Sequence, residues 1–166
     1  FEVAPYDVVH NRVEFDNYVG NAFFSEAAAR LNVADRQELP VDGGHLALHG
    51  NSALQLAGSV LTGHAAFARG ASVDISSFAD IHVVGGGGTA PAGATVVLNT
   101  SVLNSWGAES LLIGGLRRET DEGTVVDVRA GTVELNNQGS TLAGSDIVLA
   151  AATNLTIGDG SSIVST

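Results

Sequence analysis

From Gly43 to the end of the chain, apolar residues alternate with polar ones in short bursts. "HLALHG" sets Leu46 and Leu48 on one face, and "ALQLAG" repeats the pattern at Leu54 and Leu56. "SVDISSF" contributes Val73 and Ile75, and "DIHVVG" contributes Ile81 and Val83. Further on come Val126 and Val128 in "VVDVRA", Val133 and Leu135 in "TVELNN", Ile147 and Leu149 in "DIVLAA", and Leu155 and Ile157 in "NLTIGDG", followed by Ile163. Alternation with period two marks strands with one buried face. Gly, Asn, Ser or Ala separates the bursts, and strands this short do not suit a conventional sandwich, whose longer strands are joined by hairpin turns.

Stacked coils account for the pattern better. A coil of two or three short strands takes roughly twenty to thirty residues, within the range of solenoid repeats. Leu46 and Val73 are 27 residues apart, and Val126 and Ile147 are 21 apart, both separations that suit equivalent positions on successive coils. The expected class is all-β, a right-handed parallel β-helix over residues 42–166, with excursions at 85–94 and 116–123. In the second excursion Leu111 to Ile113 belong to the wall, Gly114 and Gly115 turn the chain out, and a charged loop returns at "TVVDV".

Residues 1–41 have another character. Six of the nine aromatic residues lie within the first 24 positions. Phe24, Ala27, Ala28 and Leu31 fall at helical spacing, which predicts a short helix over 21–33 with Asn21 as its N-cap. This segment is expected to cap or flank the main body.

Composition narrows the function classes. Eighteen acidic residues face seven basic ones, a formal net charge of -11, and every basic residue is Arg. Such a surface repels phosphate backbones and anionic lipid, which disfavours nucleic acid and membranes as partners. Cysteine is absent, excluding disulfides, a thiol nucleophile and thiolate metal sites. No apolar run approaches the ~20 residues that span a bilayer. The chain opens on Phe1 and contains no Met, so a piece of a longer polypeptide is expected, with any targeting information outside it.

The stretches "ELPVDGGHLALHGNSALQLAGSVL", "RGASVDIS", "DIHVV", "AESLLIGGLRRETDEGTVVDVRAGTVELNN" and "LAGSDIVLAAATNLTIGDGSSI" resemble the repetitive shaft of filamentous-haemagglutinin-like exoproteins, which leave bacteria by two-partner secretion. The likeness covers residues 38–166, and "SLLIGG" is its most specific block. It implies a secreted or cell-surface adhesin segment, exported through an outer-membrane two-partner transporter and folded outside as a β-helix. It implies contact with glycans or proteins on host or bacterial surfaces. Some relatives are described as haem-utilisation proteins, but His10, His45, His49, His64 and His82 form no axial-ligand pattern, and no cofactor is expected.

Several motifs carry possible chemistry. His45 and His49 would share a metal on a helix, but on a strand they sit about 13 Å apart on the outer face, too far for one ion. Gly85 to Gly88 lack the Lys-Ser/Thr of a phosphate loop. "GDGSS" at 158–162 lacks the regular oxygen ligands of a calcium loop, and Ser, His and Asp occur without a nucleophile elbow. Glu119, Asp121, Glu122 and Asp127 invite a glycosidase or lyase reading, which requires paired carboxyls ~5–9.5 Å apart. Arg117 and Arg118 screen these acids, and Trp106 is the one Trp available as a sugar platform. Arg117, Arg118, Asp121, Glu122 and Trp106 are therefore the candidate binding residues, and the sequons at Asn99 and Asn154 the candidate glycosylation sites. No catalytic residue and no metal ligand is assigned. The reading is a structural and interaction segment, with a carbohydrate-active β-helix enzyme or a glycan-binding module as the alternative.

Overall fold

The computed structural model describes residues 7–8, 11–12, 20–31, 41–85 and 89–166. The chain divides into two compact units, Phe1–Pro40 and Val41–Thr166. In the first, helix α1 spans Gly20–Leu31. Ala27 and Ala28 are half-buried, whereas Phe24 and Leu31 are exposed. The rings of Phe23 and Phe24 meet edge to face at 5.5 Å. Asn21 is the second helical residue rather than the cap, because Gly20 already has helical backbone; Val33 lies outside the described residues.

The second unit is predominantly β. Its strands are β1 (His45–Gly50), β2 (Ser72–Ser77), β3 (Ile81–Val84), β4 (Val96–Asn99), β5 (Ser110–Ile113), β6 (Gly115–Thr120), β7 (Gly123–Val128), β8 (Thr132–Asn136), β9 (Leu142–Ala143), β10 (Asp146–Leu149), β11 (Asn154–Ile157) and β12 (Ile163–Val164), with one short helix, α2 (Thr100–Ser105). Three sheets are wholly parallel, in the orders β1-β2-β5-β10, β11-β8-β3-β4 and β12-β9. A fourth, β6-β7, is an antiparallel hairpin.

Register places like on like. In the first sheet Leu46, Val73, Leu111 and Ile147 lie side by side, and so do Leu48, Ile75, Ile113 and Leu149. In the second, Val96, Ile81, Val133 and Leu155 form one row, and Leu98, Val83, Leu135 and Ile157 the next. A one-residue slip would turn each row to the opposite face, so burial itself fixes the register. Most of these side chains join Leu103, Trp106, Ala130 and Leu142 in one core cluster.

Two sequence expectations change here. Leu46 does pair with Val73, 27 residues on, but the partner of Ile147 is Leu111 and not a residue of "VVDVRA". Val126 and Val128 stand in β7, opposite Arg117 and Gly115, and are exposed. The expected loop at 116–123 is thus a hairpin over 115–128: its second arm alternates like a wall strand but pairs backward with its own first arm. Leu54 and Leu56 form no strand; Leu54 makes a single parallel bridge to Val96, and both pack partly buried on the core. The connection after β3 leads to β4, which returns to the β3 edge facing away from β8, with Ile81 opposite Val96.

Where strand pairing is interrupted, side chains continue it. Asn104 on α2 donates from Nδ2 to the carbonyl of Thr141 at 2.8 Å and accepts at Oδ1 from the amide of Ala143 at 3.0 Å. Its amide thereby serves β9 as a neighbouring strand would. Asn137 is fully buried and does the same for Ser162, donating to its carbonyl and accepting from its amide, each at 2.9 Å. Leaving the two Ser162 backbone groups beside the buried Asn137 without a partner would cost about 1–3 kcal/mol per group.

Gly114 is where the hairpin leaves the wall. Its amide donates to Ile75 and its carbonyl accepts from Arg129 and Ala130, so this one residue closes the hairpin's base against the sheet. Its φ is +103°, and a Cβ would collide with the carbonyl oxygen of Ala150. Gly123 also has positive φ, +121°, but faces open space at the hairpin turn. Gly123→Ala should therefore cost only backbone strain, about 1–3 kcal/mol. Gly114→Ala should add an overpacking penalty of about 1–3 kcal/mol or more. Urea unfolding midpoints of the two variants measure this, and equal losses would refute the distinction.

Candidate functional site

The outer faces of the two larger sheets carry the polar chemistry. Outward positions of the first sheet line up as His45, Ser72, Ser110 and Asp146, and beside them as Ala47, Asp74, Leu112 and Val148. Asp74 and Leu112 point away from the core and yet have 0 % exposure. The β6–β7 hairpin accounts for this, since β6 packs against β2.

Asp74 holds the hairpin down. One carboxylate oxygen accepts from the amide of Arg117 at 2.6 Å, and the other lies 3.0 Å from Nη1 of the same residue. His45 Nε2 lies 3.0 Å from Oδ2. Nη2 of Arg117 donates to Ser110 Oγ at 2.7 Å, and Ser110 Oγ donates to Asp146. The network joins five strands, β1, β2, β5, β6 and β10. Beside it opens a cleft of about 630 Å³, whose walls include Asp42, His45, Arg69, Glu109, Ser110 and Glu119. Most of these groups already have partners: Arg69 pairs with Asp42 at 3.5 Å, Glu109 accepts from the amide of Gly70, and Glu119 accepts from Thr124.

A second cleft, about 540 Å³, lies on the outer face of the second sheet between Phe78 and the turn at Pro91–Ala94. On that face Val97, His82, Glu134 and Thr156 form one ladder row, and of these His82 lines the cleft. His82 donates from Nδ1 to Glu134 at 3.0 Å. Phe78 is 57 % exposed. His49 meets its ring edge-on at 5.2 Å, and the Arg129 guanidinium lies 5.7 Å from the ring centroid. His49 is itself fixed by Ser76 and Asn51, and Arg129 by Asp127 at 2.8 Å.

The candidate residues named from sequence separate widely. Arg117 sits in the Asp74 network. Arg118 is exposed on the opposite face of the hairpin, across from Val125, while Asp121 and Glu122 form its solvated turn. Asp127 is exposed and paired with Arg129, so the hairpin acids are spread along a ribbon and do not face one another across a groove. Trp106 is no sugar platform: it is 3 % exposed, belongs to the core, and donates from Nε1 to the carbonyl of Gly58 at 3.2 Å. A short helix, α2, stands where a wall strand would continue, and the indole fills the space behind it. Asn99 caps α2, accepting from both the amide and the hydroxyl of Ser101. Asn154 is exposed at the start of β11. In "GDGSS", Ser161 and Ser162 bond to Leu135 and Asn137 of the preceding turn. His45 and His49 stand on the outer face as expected, each with its own partner, Asp74 and Ser76. His10 lies outside the described residues.

Asp74, Phe78, Asp80, His82 and Glu134 were not singled out by sequence reasoning. The one signal available was the strict outward placement of His82 and Asp74 between apolar neighbours. No protein-family model, curated protein or solved structure matches the chain.

Removing the Arg117 side chain leaves a fully buried carboxylate with only His45 and one amide. Arg117→Ala should destabilise the second unit by about 3–5 kcal/mol, whereas Arg118→Ala should change stability by no more than about 0.5 kcal/mol. Denaturant melts compare the two, and similar losses would mean that the hairpin is not held through Asp74.

Proposed function

We propose that the chain is a segment of the shaft of a secreted or surface-bound bacterial exoprotein, of the filamentous-haemagglutinin-like kind, and that its second unit is a right-handed parallel β-helix. The observation that carries this reading is the register: three wholly parallel sheets stack aliphatic residues in continuous rows. The sequence resemblance around "SLLIGG" supports it independently.

The final turn adds a further argument. Leu155, Ile157 and Ile163 continue the inward rows beside Val133, Leu135 and Leu142, but are 47 %, 56 % and 41 % exposed. Apolar rows that end uncovered beside unpaired strand edges suit a stack onto which another coil adds. Each coil advances the stack by about one inter-strand spacing, ~4.8 Å. The function is then reach, rigidity and presentation of surfaces to other cells, with an outer-membrane two-partner transporter as the export partner.

The test is the export route. In the source cells, an antibody against the chain should label intact cells or the medium, and disrupting a co-encoded outer-membrane transporter should abolish the labelling. Retention of the protein in the cytoplasm of cells with an intact transporter would overturn the localisation.

A further inference from the structure

We propose that the cleft on the outer face of the second sheet is a saccharide subsite, taking a neutral or amino hexopyranose at the end or within a surface glycan. Pyranoses present two chemistries at once, an apolar face of C–H groups and a rim of hydroxyl donors. The cleft presents the complement of each. Phe78 supplies an exposed aromatic ring on one wall. Asp80 and His82 line the floor beside it. Asp80 is exposed and has no hydrogen-bond or ion-pair partner among the described residues. Its carboxylate only accepts, which suits vicinal hydroxyls, and the imidazole of His82, held through Nδ1 by Glu134, adds a second polar group beside it.

The platform is built in advance of binding. His49 and Arg129 hold the Phe78 ring, and both are tied to groups outside the cleft. On the opposite wall the Pro91–Ala94 turn closes with a backbone hydrogen bond, and Thr95 is tied through its hydroxyl to Ser52. A fixed aromatic ring and fixed walls lower the ordering cost of binding. At about 540 Å³ the volume lies in the range of small-ligand sites.

Charge selects among sugars. Asp80 lies in the cleft, Glu134 stands directly behind His82, and the whole chain carries a net charge of -11. Uronates, sialates and sulfated sugars would meet repulsion, whereas an amino sugar would find a carboxylate. None of the hairpin acids first considered from sequence lines this cleft, although Asp127 fixes the Arg129 that braces Phe78; its ligand-facing groups come from β3 and the corner that precedes it. The inference rests on the proposed surface role for its biological setting and on the cleft's own geometry for its chemistry.

The experiment is a glycan array probed with the full 166-residue chain, followed by calorimetric titration with the strongest glycan. Expected is binding to neutral or amino-sugar glycans over sialylated, uronate or sulfated ones. Phe78→Ala and Asp80→Ala should each weaken it at least about tenfold, and Phe78→Trp should retain it. Both positions are exposed, and circular dichroism and thermal melts establish that the variants fold like the parent. An empty array, a preference for anionic sugars, or affinities unchanged by Phe78→Ala and Asp80→Ala would overturn the proposal. So would a cell-surface partner whose capture depends on Phe78 but survives enzymatic deglycosylation. An empty array leaves the export reading standing, whereas a cytoplasmic chain that still binds the sugar removes the export reading and keeps the site.

Discussion

Most of the second unit depends on one constraint: in its parallel sheets, a strand's backbone groups are satisfied only by strands distant in the sequence, never by itself. Hydrogen bonds therefore cross between segments that are tens of residues apart, such as β1 and β2 or β3 and β8. Any local departure from strand geometry exposes a row of donors and acceptors in its neighbours. The fold tolerates departures only where a side chain takes over. Asn104 does so for β9, Asn137 for the corner before Ser162, and Thr100 donates its buried hydroxyl to Val84 where β4 gives way to α2. Primary amides suit this task because one group carries both a donor and an acceptor at nearly peptide spacing.

The inward rows have little freedom, since a change of size in one layer meets the next layer directly. Outward positions have more, and the two outer faces have used it differently. On the first sheet the chain covers its own surface with a hairpin and compensates the buried Asp74 with a guanidinium, an amide and an imidazole. A buried ion of this kind is weak as a source of net stability but strong as a determinant of placement, because few other arrangements satisfy it. On the second sheet the ladder of His82 and Glu134 stays partly exposed, at 13 % and 33 % of the side chains, and the flanking ring of Phe78 is braced rather than buried.

Much of this architecture was legible in the sequence, for a definite reason. Alternation reports which face of a strand is buried, so Leu46 and Leu48, Val73 and Ile75, Val133 and Leu135 all fell on the correct side. Alternation does not report the partner. Val126 and Val128 alternate as cleanly as the others, yet belong to a hairpin, because the closure at Gly114 depends on Ile75 and Ala150, which are distant in sequence. The same limit hid Asp74. In its own strand it reads as an ordinary outward polar residue, and only Arg117, 43 positions later, makes it buried. Trp106 was misread in the opposite sense: a lone Trp in a polar stretch suggests an exposed platform, whereas the short helix before it leaves a gap that the indole fills. The segment "TSVLNS" has too few residues to show helical periodicity.

The placement of β4 has a consequence for the order in which the molecule can be assembled. Its two neighbours are β3 on one edge and Leu54 on the other, so a later piece of chain is wedged between two earlier ones. The region around Leu54 cannot complete its backbone pairing until Val96 has arrived, by which time β1, β2 and β3 have all emerged. From β5 onward, β5, β8, β10 and β11 each add to an earlier strand, whereas β9 finds its strand partner only in the later β12. Within these residues, assembly from the N-terminal side therefore includes one step out of order, the insertion of β4 between Leu54 and β3.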